Sequence, residues 1–245
     1  MIYIIGLGPG EQSQLTQKAV TALKNCDVIA GYNVYINLIK DIVSKKQIIS
    51  TPMKQEVERC RLAAIAASKG KKVAMVSSGD AGIYGMAGLM YEICFELNID
   101  VEIEVIAGIT AASSAAAVLG APLTHDFAAI SLSNLLTPWE DIEKRLDLAS
   151  KAGFVLAIYN PVSKKRANFL RKACEILLNN LDENTMCGYV RNIAREGQEH
   201  RILNLKELKD CQIDMFTTVI VGNKNTKVIG NKLVTPRGYK NVGEK

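Results

Sequence analysis

The sequence predicts an α/β protein of two domains, and three observations carry that expectation. The chain has 245 residues, which suits two modest cores because domains typically run about 100 to 200 residues. Its first half alternates short β-branched runs with longer amphipathic segments, the rhythm of a parallel sheet joined by crossover helices. At GAPLTHDF, residues 120–127, Gly120 and Pro122 break a helix and polar residues suit an exposed connector. The boundary is placed there. It gives an N-terminal α/β domain over 1–121 with a parallel sheet and a C-terminal α/β domain over 122–245 with a mixed sheet.

The elements follow in order. MIYIIG at 1–6 reads as a strand, 13–25 as a helix, and DVIAG at 27–31 as the second strand. A helix over 56–68, the apolar strand KVAMVSSG at 72–79 and a helix over 84–97 continue the alternation. VEIEVIAG at 101–108 and a helix over 109–119 complete the first half. The second half resumes with AAISLS at 128–133, a helix near 138–150, FVLAIYN at 154–160 and a helix near 164–180. It then turns mainly to strands: TMCGYVRN at 185–192, HRILNL at 200–205 and TTVIVG at 217–222. No internal repeat is visible.

Composition excludes several function classes. Hydrophobic residues make up 48% and charged residues 22%, with no low-complexity tract, which describes an ordinary folded chain. The start lacks a basic segment and turns on glycine, unlike a signal peptide, and no apolar run reaches the roughly 20 residues of a membrane span. A cytoplasmic protein is expected, without membrane contact. The six cysteines are scattered, with no CxxC pair and no histidine at ligand spacing, so they are read as reduced, mostly buried thiols and no metal site is expected. A net charge of +5 with only 6% aromatic residues gives no nucleic-acid stripe, but suits a substrate bearing several carboxylates.

Three segments carry chemistry, each at a strand end. Gly6-Leu7-Gly8-Pro9-Gly10 lets a ligand approach the backbone, or merely permits a tight turn. It fails as a dinucleotide fingerprint, because the third glycine would fall at Glu11 and Pro9 removes an amide donor. Asp27 also opens the second strand where a ribose-binding acid should close it. A nicotinamide-binding oxidoreductase is therefore the weaker alternative. Ser77-Ser78-Gly79-Asp80-Ala81-Gly82-Ile83-Tyr84-Gly85 follows an apolar strand, so Asp80 either enters a ligand crevice or caps the next helix. In Gly108-Ile109-Thr110-Ala111-Ala112-Ser113-Ser114, Thr110 caps a helix or contacts the same ligand.

With YNP at 159–161 and GYVRN at 188–192, these segments resemble the tetrapyrrole methylases over nearly the whole chain. LTHDFAAISLSNLLTPW at 123–139 and AIYNPVSKKR at 157–166 point to the branch acting at carbon 17 of precorrin-3B or its cobalt form. The resemblance implies methylation with ring contraction on the route to cobalamin, and another precorrin methylase of the same fold is the nearest rival. It implies a homodimer, and a cleft between the two α/β domains holding S-adenosyl-L-methionine in a folded shape. By motif position it implies Pro9, Gly79, Asp80, Ala81, Tyr84, Ile109, Thr110, Tyr159 and Asn192 around that cofactor, with Thr217 and Thr218 at its adenine end. Asn134 departs from the aspartate expected in that motif, which favours a positioning role over a base.

Methyl transfer from a sulfonium is an in-line displacement that needs no protein nucleophile, consistent with the lack of a Ser/His/Asp or Cys/His arrangement. For proton transfer or carboxylate positioning the candidates are His125, Asn134 and Arg191. His125 is equally read as satisfied by Thr124 or Asp126, whereas His200 reads as a solvated loop residue. Ser131 and Ser133 are candidates for the macrocycle rim, or for helix caps. Lys164, Lys165, Arg166 and Arg195 are candidates for its acetate and propionate groups, though the 164–166 run also suits a solvated helix start.

Overall fold

The computed structural model describes residues 1–163 and 166–240. The chain divides into two compact units, Met1–Ala111 and Ala112–Lys245. In the first unit β1 (Ile2–Gly6) leads through a short 3-10 turn, Gln12–Gln14, to α1 (Gln17–Asn25). The helix expected from residue 13 starts later because Thr16 caps it, its hydroxyl accepting from the Ala19 amide at 3.2 Å. Then come β2 (Val28–Gly31), α2 (Asn33–Asn37), α3 (Lys40–Val43), β3 (Gln47–Ser50) and α4 (Glu56–Ser68). β4 (Val73–Ser77), α5 (Ala87–Glu96) and β5 (Ile103–Ile106) complete the unit.

These strands form one parallel sheet in the order β3-β2-β4-β1-β5. Alternation along the strands divides the core between its two faces. Ile2, Ile4, Val28, Ala30, Val73 and Met75 pack with Cys60, Ala63 and Ala64 of α4 and with Met90 and Ile93 of α5. Ile5, Ile29, Ala74 and Val76 pack with Ala19 and Leu23 of α1 and with Ile36 and Val43 of α2 and α3. All five strands therefore point their carboxyl ends at the same edge.

The second unit takes α6 (Ala111–Leu119), β6 (Gly120–Ala121), β7 (Phe127–Ser131), α7 (Trp139–Lys151), β8 (Val155–Tyr159) and α8 (Phe169–Leu177). β9 (Met186–Arg191), β10 (Glu199–Asn204), α9 (Leu205–Lys209), β11 (Thr217–Val221), β12 (Lys227–Ile229) and β13 (Lys232–Val234) follow. Its main sheet runs β10-β9-β11-β8-β7, with only the β7–β8 pair parallel. The helices α7, α8 and α9 supply Ile142, Leu146, Leu170, Leu177, Leu205 and Leu208 to its core.

The division falls after Ala111, ahead of the connector at 120–127, because α6 is built into the second sheet. A Cβ on Gly188 of β9 would lie 2.8 Å from Leu119 Cδ2, so the last side chain of that helix packs directly on the β9 backbone. Beyond the connector, β12 and β13 form a hairpin, and β13 pairs with β6. Among the described residues no helix is long and apolar enough to cross a membrane.

Candidate functional site

In the first unit the three glycine-bearing strand ends are knitted together by their backbones. Gly8 and Gly79 exchange amide-to-carbonyl bonds of 3.0 and 2.7 Å, and the Leu7 amide donates to the Ser77 carbonyl at 2.8 Å. A Cβ on Gly108 would come within 2.2 Å of the Gly79 carbonyl, and one on Gly6 within 2.6 Å of the same oxygen. Those two glycines serve the close approach of loop to loop. Gly79 differs: a Cβ there would meet Ala111 N at 3.8 Å and Thr110 Cα at 3.9 Å, ordinary contact without a clash, so it is the φ of +69° that favours glycine.

Asp80 holds two of these loops. Its Oδ1 accepts from the Gly82 amide at 2.8 Å, and its Oδ2 accepts from the Gly108 amide at 2.9 Å. The capping alternative for Asp80 fails, since α5 begins only at Ala87 with Met86 at its cap position. Two accepted bonds leave a carboxylate further lone pairs. Pro9 and Ala81 are buried, whereas Tyr84 and Ile109 are exposed and Thr110 is half-buried. Tyr84 sits at φ +54°, a left-handed conformation unfavourable for an aromatic residue and typical of functional loops.

In the second unit the carboxyl ends of β7, β8 and β9 meet the amino end of β11 at one edge. Ser131 pairs with Tyr159, Thr218 with Val190, and Thr217 with Arg191. Ser131 Oγ accepts from the Asn160 side-chain amide at 3.0 Å and from the Ser133 amide at 3.2 Å. The Tyr159 hydroxyl accepts from the Ala112 amide at 3.0 Å, at the start of α6. Thr217 and Thr218 are buried, and the Thr217 hydroxyl donates to Asp214 at 3.1 Å. Asn192 turns at φ +49°, its amide donating to the Phe216 carbonyl at 3.1 Å. The Arg195 amide in turn donates to the Asn192 carbonyl at 3.0 Å.

This edge gathers the described second-unit candidates except His125. That residue precedes β7, whereas Ser131 ends it, so the length of the strand, roughly 15 Å, lies between them. Exposed there, His125 accepts the Asp126 amide at Nδ1, 2.8 Å away, and its ring lies 3.6 Å from the Asp126 carboxylate. It lies at the opposite end of β7 from Ser131, with Asp126 as its partner. Arg191 is at the right edge, but its guanidinium pairs with Asp214 at 2.8 Å and Glu199 at 3.3 Å. The hydrogen bond it donates to Glu199 and the charge of Asp214 hold its pKa above the ordinary arginine value. Its charge is thus met within the chain. Asn134 is exposed on the loop after β7, and Lys164 and Lys165 lie outside the described residues.

Two contributors escape a reading of the sequence. Asn160 adopts φ +51° and holds Ser131, although a residue before proline is biased toward extended backbone. Gly108 was read for its neighbour Thr110, while its own amide is what Asp80 holds. The thiols take no part: burial pushes Cys26 up to about 11, Cys60 and Cys174 up to about 12, and Cys187 higher still.

Residues 1–209 match the family described as Tetrapyrrole (Corrin/Porphyrin) Methylases. The chain is 45% identical over 239 residues to a probable cobalt-factor III C(17)-methyltransferase of Salmonella typhimurium, covering 98% of this chain and 99% of that one. It is 36% identical over 249 residues to the precorrin-3B C(17)-methyltransferase of a Sinorhizobium species, covering 97% and 96%. The crystal structure of the methyltransferase CobJ is similar with a TM-score of 0.88 and 34% identity, over 96% of this chain and 99% of that one.

Proposed function

The chain belongs to the tetrapyrrole methylases, and on that premise we propose that it methylates carbon 17 of cobalt-factor III with S-adenosyl-L-methionine as donor. The observation that carries this reading is the coextensive likeness to a carbon-17 methyltransferase, 45% identical from end to end. Identity to the precorrin-3B enzyme is lower, 36%, which favours the cobalt-bearing tetrapyrrole as substrate.

The residues present fit the donor. Gly79 turns the chain through left-handed backbone into Asp80, whose remaining lone pairs suit hydroxyl or ammonium groups, and buried Pro9 and Ala81 give the loops a dry floor. Tyr84, Ile109 and Thr110 in the first unit, and Tyr159, Asn192, Thr217 and Thr218 in the second, complete the proposed set. When bound, the donor supplies an electrophilic methyl group on a sulfonium. The chain's own task is to hold that methyl and a nucleophilic ring carbon in line, worth about 7 to 11 kcal/mol for well-oriented reactants. Ser131, Ser133, Asn134, Arg166 and Arg195 are proposed to orient the tetrapyrrole, while Arg191 braces the β9 end of the site through its two carboxylates. Assembly as a homodimer belongs to the same proposal.

The test is anaerobic incubation with cobalt-factor III and donor, read by mass spectrometry. Gain of one methyl group with a carbon-17 product supports the reading. Binding of S-adenosylhomocysteine without methylation of that substrate would keep the donor and remove the substrate.

A further inference from the structure

The segment between β7 and α7 reads Leu132-Ser133-Asn134-Leu135-Leu136-Thr137-Pro138, and its two stems are fixed. Leu132 is fully buried and its amide donates to the Tyr159 carbonyl at 2.9 Å. The Ser133 amide donates to Ser131 Oγ, which Asn160 also holds. At the far stem Trp139 packs against Phe169, ring centroids 4.4 Å apart and planes tilted by 49°, and donates to Glu143 through its indole nitrogen. Between these anchors the tip is apolar and bare: Leu135 is 64% exposed and Leu136 is 99% exposed. Loop tips are ordinarily polar, since water meets their backbone groups and rewards nothing apolar. Adjacent exposed leucines on a pinned loop are a surface held ready for an apolar partner.

A second observation lies beyond the carboxyl end of β8, the parallel neighbour of β7. Arg166 donates from Nε to Ser163 Oγ at 3.0 Å, but its Nη1 is buried and has no partner among the described residues. A guanidinium cannot shed its proton to escape that situation, so a buried nitrogen without a described partner suits an anionic acceptor. An apolar tip and a guanidinium beyond the carboxyl ends of two paired strands match a flat ring system whose faces are apolar and whose rim carries carboxylates.

We propose that residues 133–138 form a docking lip for the tetrapyrrole, with Leu135 and Leu136 against the macrocycle face and Arg166 Nη1 on a rim carboxylate. This inference rests on the tetrapyrrole reading above. Its test measures cobalt-factor III binding directly by absorbance titration, separately from methyl transfer, for the whole protein and two variants. The double variant Leu135→Ser/Leu136→Ser is expected to weaken cobalt-factor III binding at least tenfold and raise its KM equally, with kcat within twofold. Leu135→Met/Leu136→Met should restore binding, since methionine returns apolar area without the original shape. Arg166→Gln should weaken binding at least tenfold, and amidating the substrate carboxylates should erase the difference between Arg166 and its variant. S-adenosylhomocysteine affinity should be unchanged in the leucine variants. Unchanged cobalt-factor III affinity in the serine variant overturns the proposal, as does a variant that only changes oligomeric state. If the protein binds cobalt-factor III without methylating it, the reaction proposed above fails while the variants still decide the lip. If it binds no tetrapyrrole, both fall.

Discussion

The strand ends of the two units solve the same problem by different means. In the first unit the loops are joined main chain to main chain, through Gly6, Gly8, Gly79 and Gly108, with one carboxylate as a clasp. In the second, main-chain bonds from Asn192 to Phe216 and from Leu132 to Tyr159 are supplemented by side chains: Asn160 to Ser131, Tyr159 to the start of α6, Arg191 to Asp214 and Glu199. A backbone weave tolerates almost no added atoms and presents one fixed surface. A side-chain weave leaves exposed groups free to vary with what they meet. The difference teaches where identity is dictated by sterics and where by the ligand.

The sharpest way to break this contrast is a single methyl group. Gly108→Ala puts a Cβ 2.2 Å from the Gly79 carbonyl, so the loops must part. The expected cost is about 2 to 3 kcal/mol in cofactor-site integrity, or roughly 100-fold in S-adenosylhomocysteine affinity by calorimetry. Retained affinity would show that the weave is looser than its distances. Asp80→Asn comes next, because one of two charge-assisted bonds to amides is lost or reversed. A loss of about 1.5 to 3 kcal/mol is expected, read as weaker S-adenosylhomocysteine binding and a lower Tm.

On the second-unit side Ser131→Ala removes an acceptor of two bonds at the base of the loop. It should raise the tetrapyrrole KM by roughly fivefold, about 1 kcal/mol, and leave S-adenosylhomocysteine affinity alone. An effect on the cofactor instead would erase the distinction between the units. His125→Ala, just before β7 begins, should change kcat and KM by less than twofold, and a bell-shaped pH profile should keep both limbs. A lost limb would restore the histidine to the chemistry.

Alkaline titration should affect both units alike and least selectively. Cys60 and Cys26 lie in the first core, and Cys174 and Cys187 in the second, all with pKa raised above 9.0 by burial. The folded state keeps these thiols protonated where the unfolded chain has already lost the protons. Their contribution is therefore complete below about pH 9 and is lost as pH rises toward 11 to 12. Tm measured from pH 8.5 to 11 should fall, and less steeply in Cys187→Ala.

Much of the first unit was legible because its elements obey local rules. The helix at Glu56–Ser68 and the strands around Ile4, Ala30 and Met75 fall where periodicity sets them. What escaped was edge and exception. β3 is four residues on the sheet margin, too short for a pattern. α5 starts at Ala87 and not at 84, because Tyr84 turns into left-handed backbone that no propensity announces. α9 carried a signal that went unread: Asn204 and Glu207 form a reciprocal cap, and the strand stops there. The helix placed over 164–180 contracts to Phe169–Leu177. At the site, glycines and Asp80 could be named from their motifs. The guanidinium partners of Arg191, and the end of β7 on which His125 sits, depend on strand direction, which composition does not encode.

The short pairing of β13 with β6 gives the second unit an order of assembly. Leu233 meets Gly120, Val234 meets Ala121, and the wholly buried Thr235 donates its amide to Ala121 while its carbonyl receives the Thr124 hydroxyl. A stretch made near the middle of synthesis thus waits for one made more than a hundred residues later. The nascent first unit can close on its own while the ribosome is still working, whereas the second must hold its early segment open until the hairpin emerges. A chain interrupted before Lys227 would leave residues 120–124 without their last strand, a gap for chaperones or proteases to find.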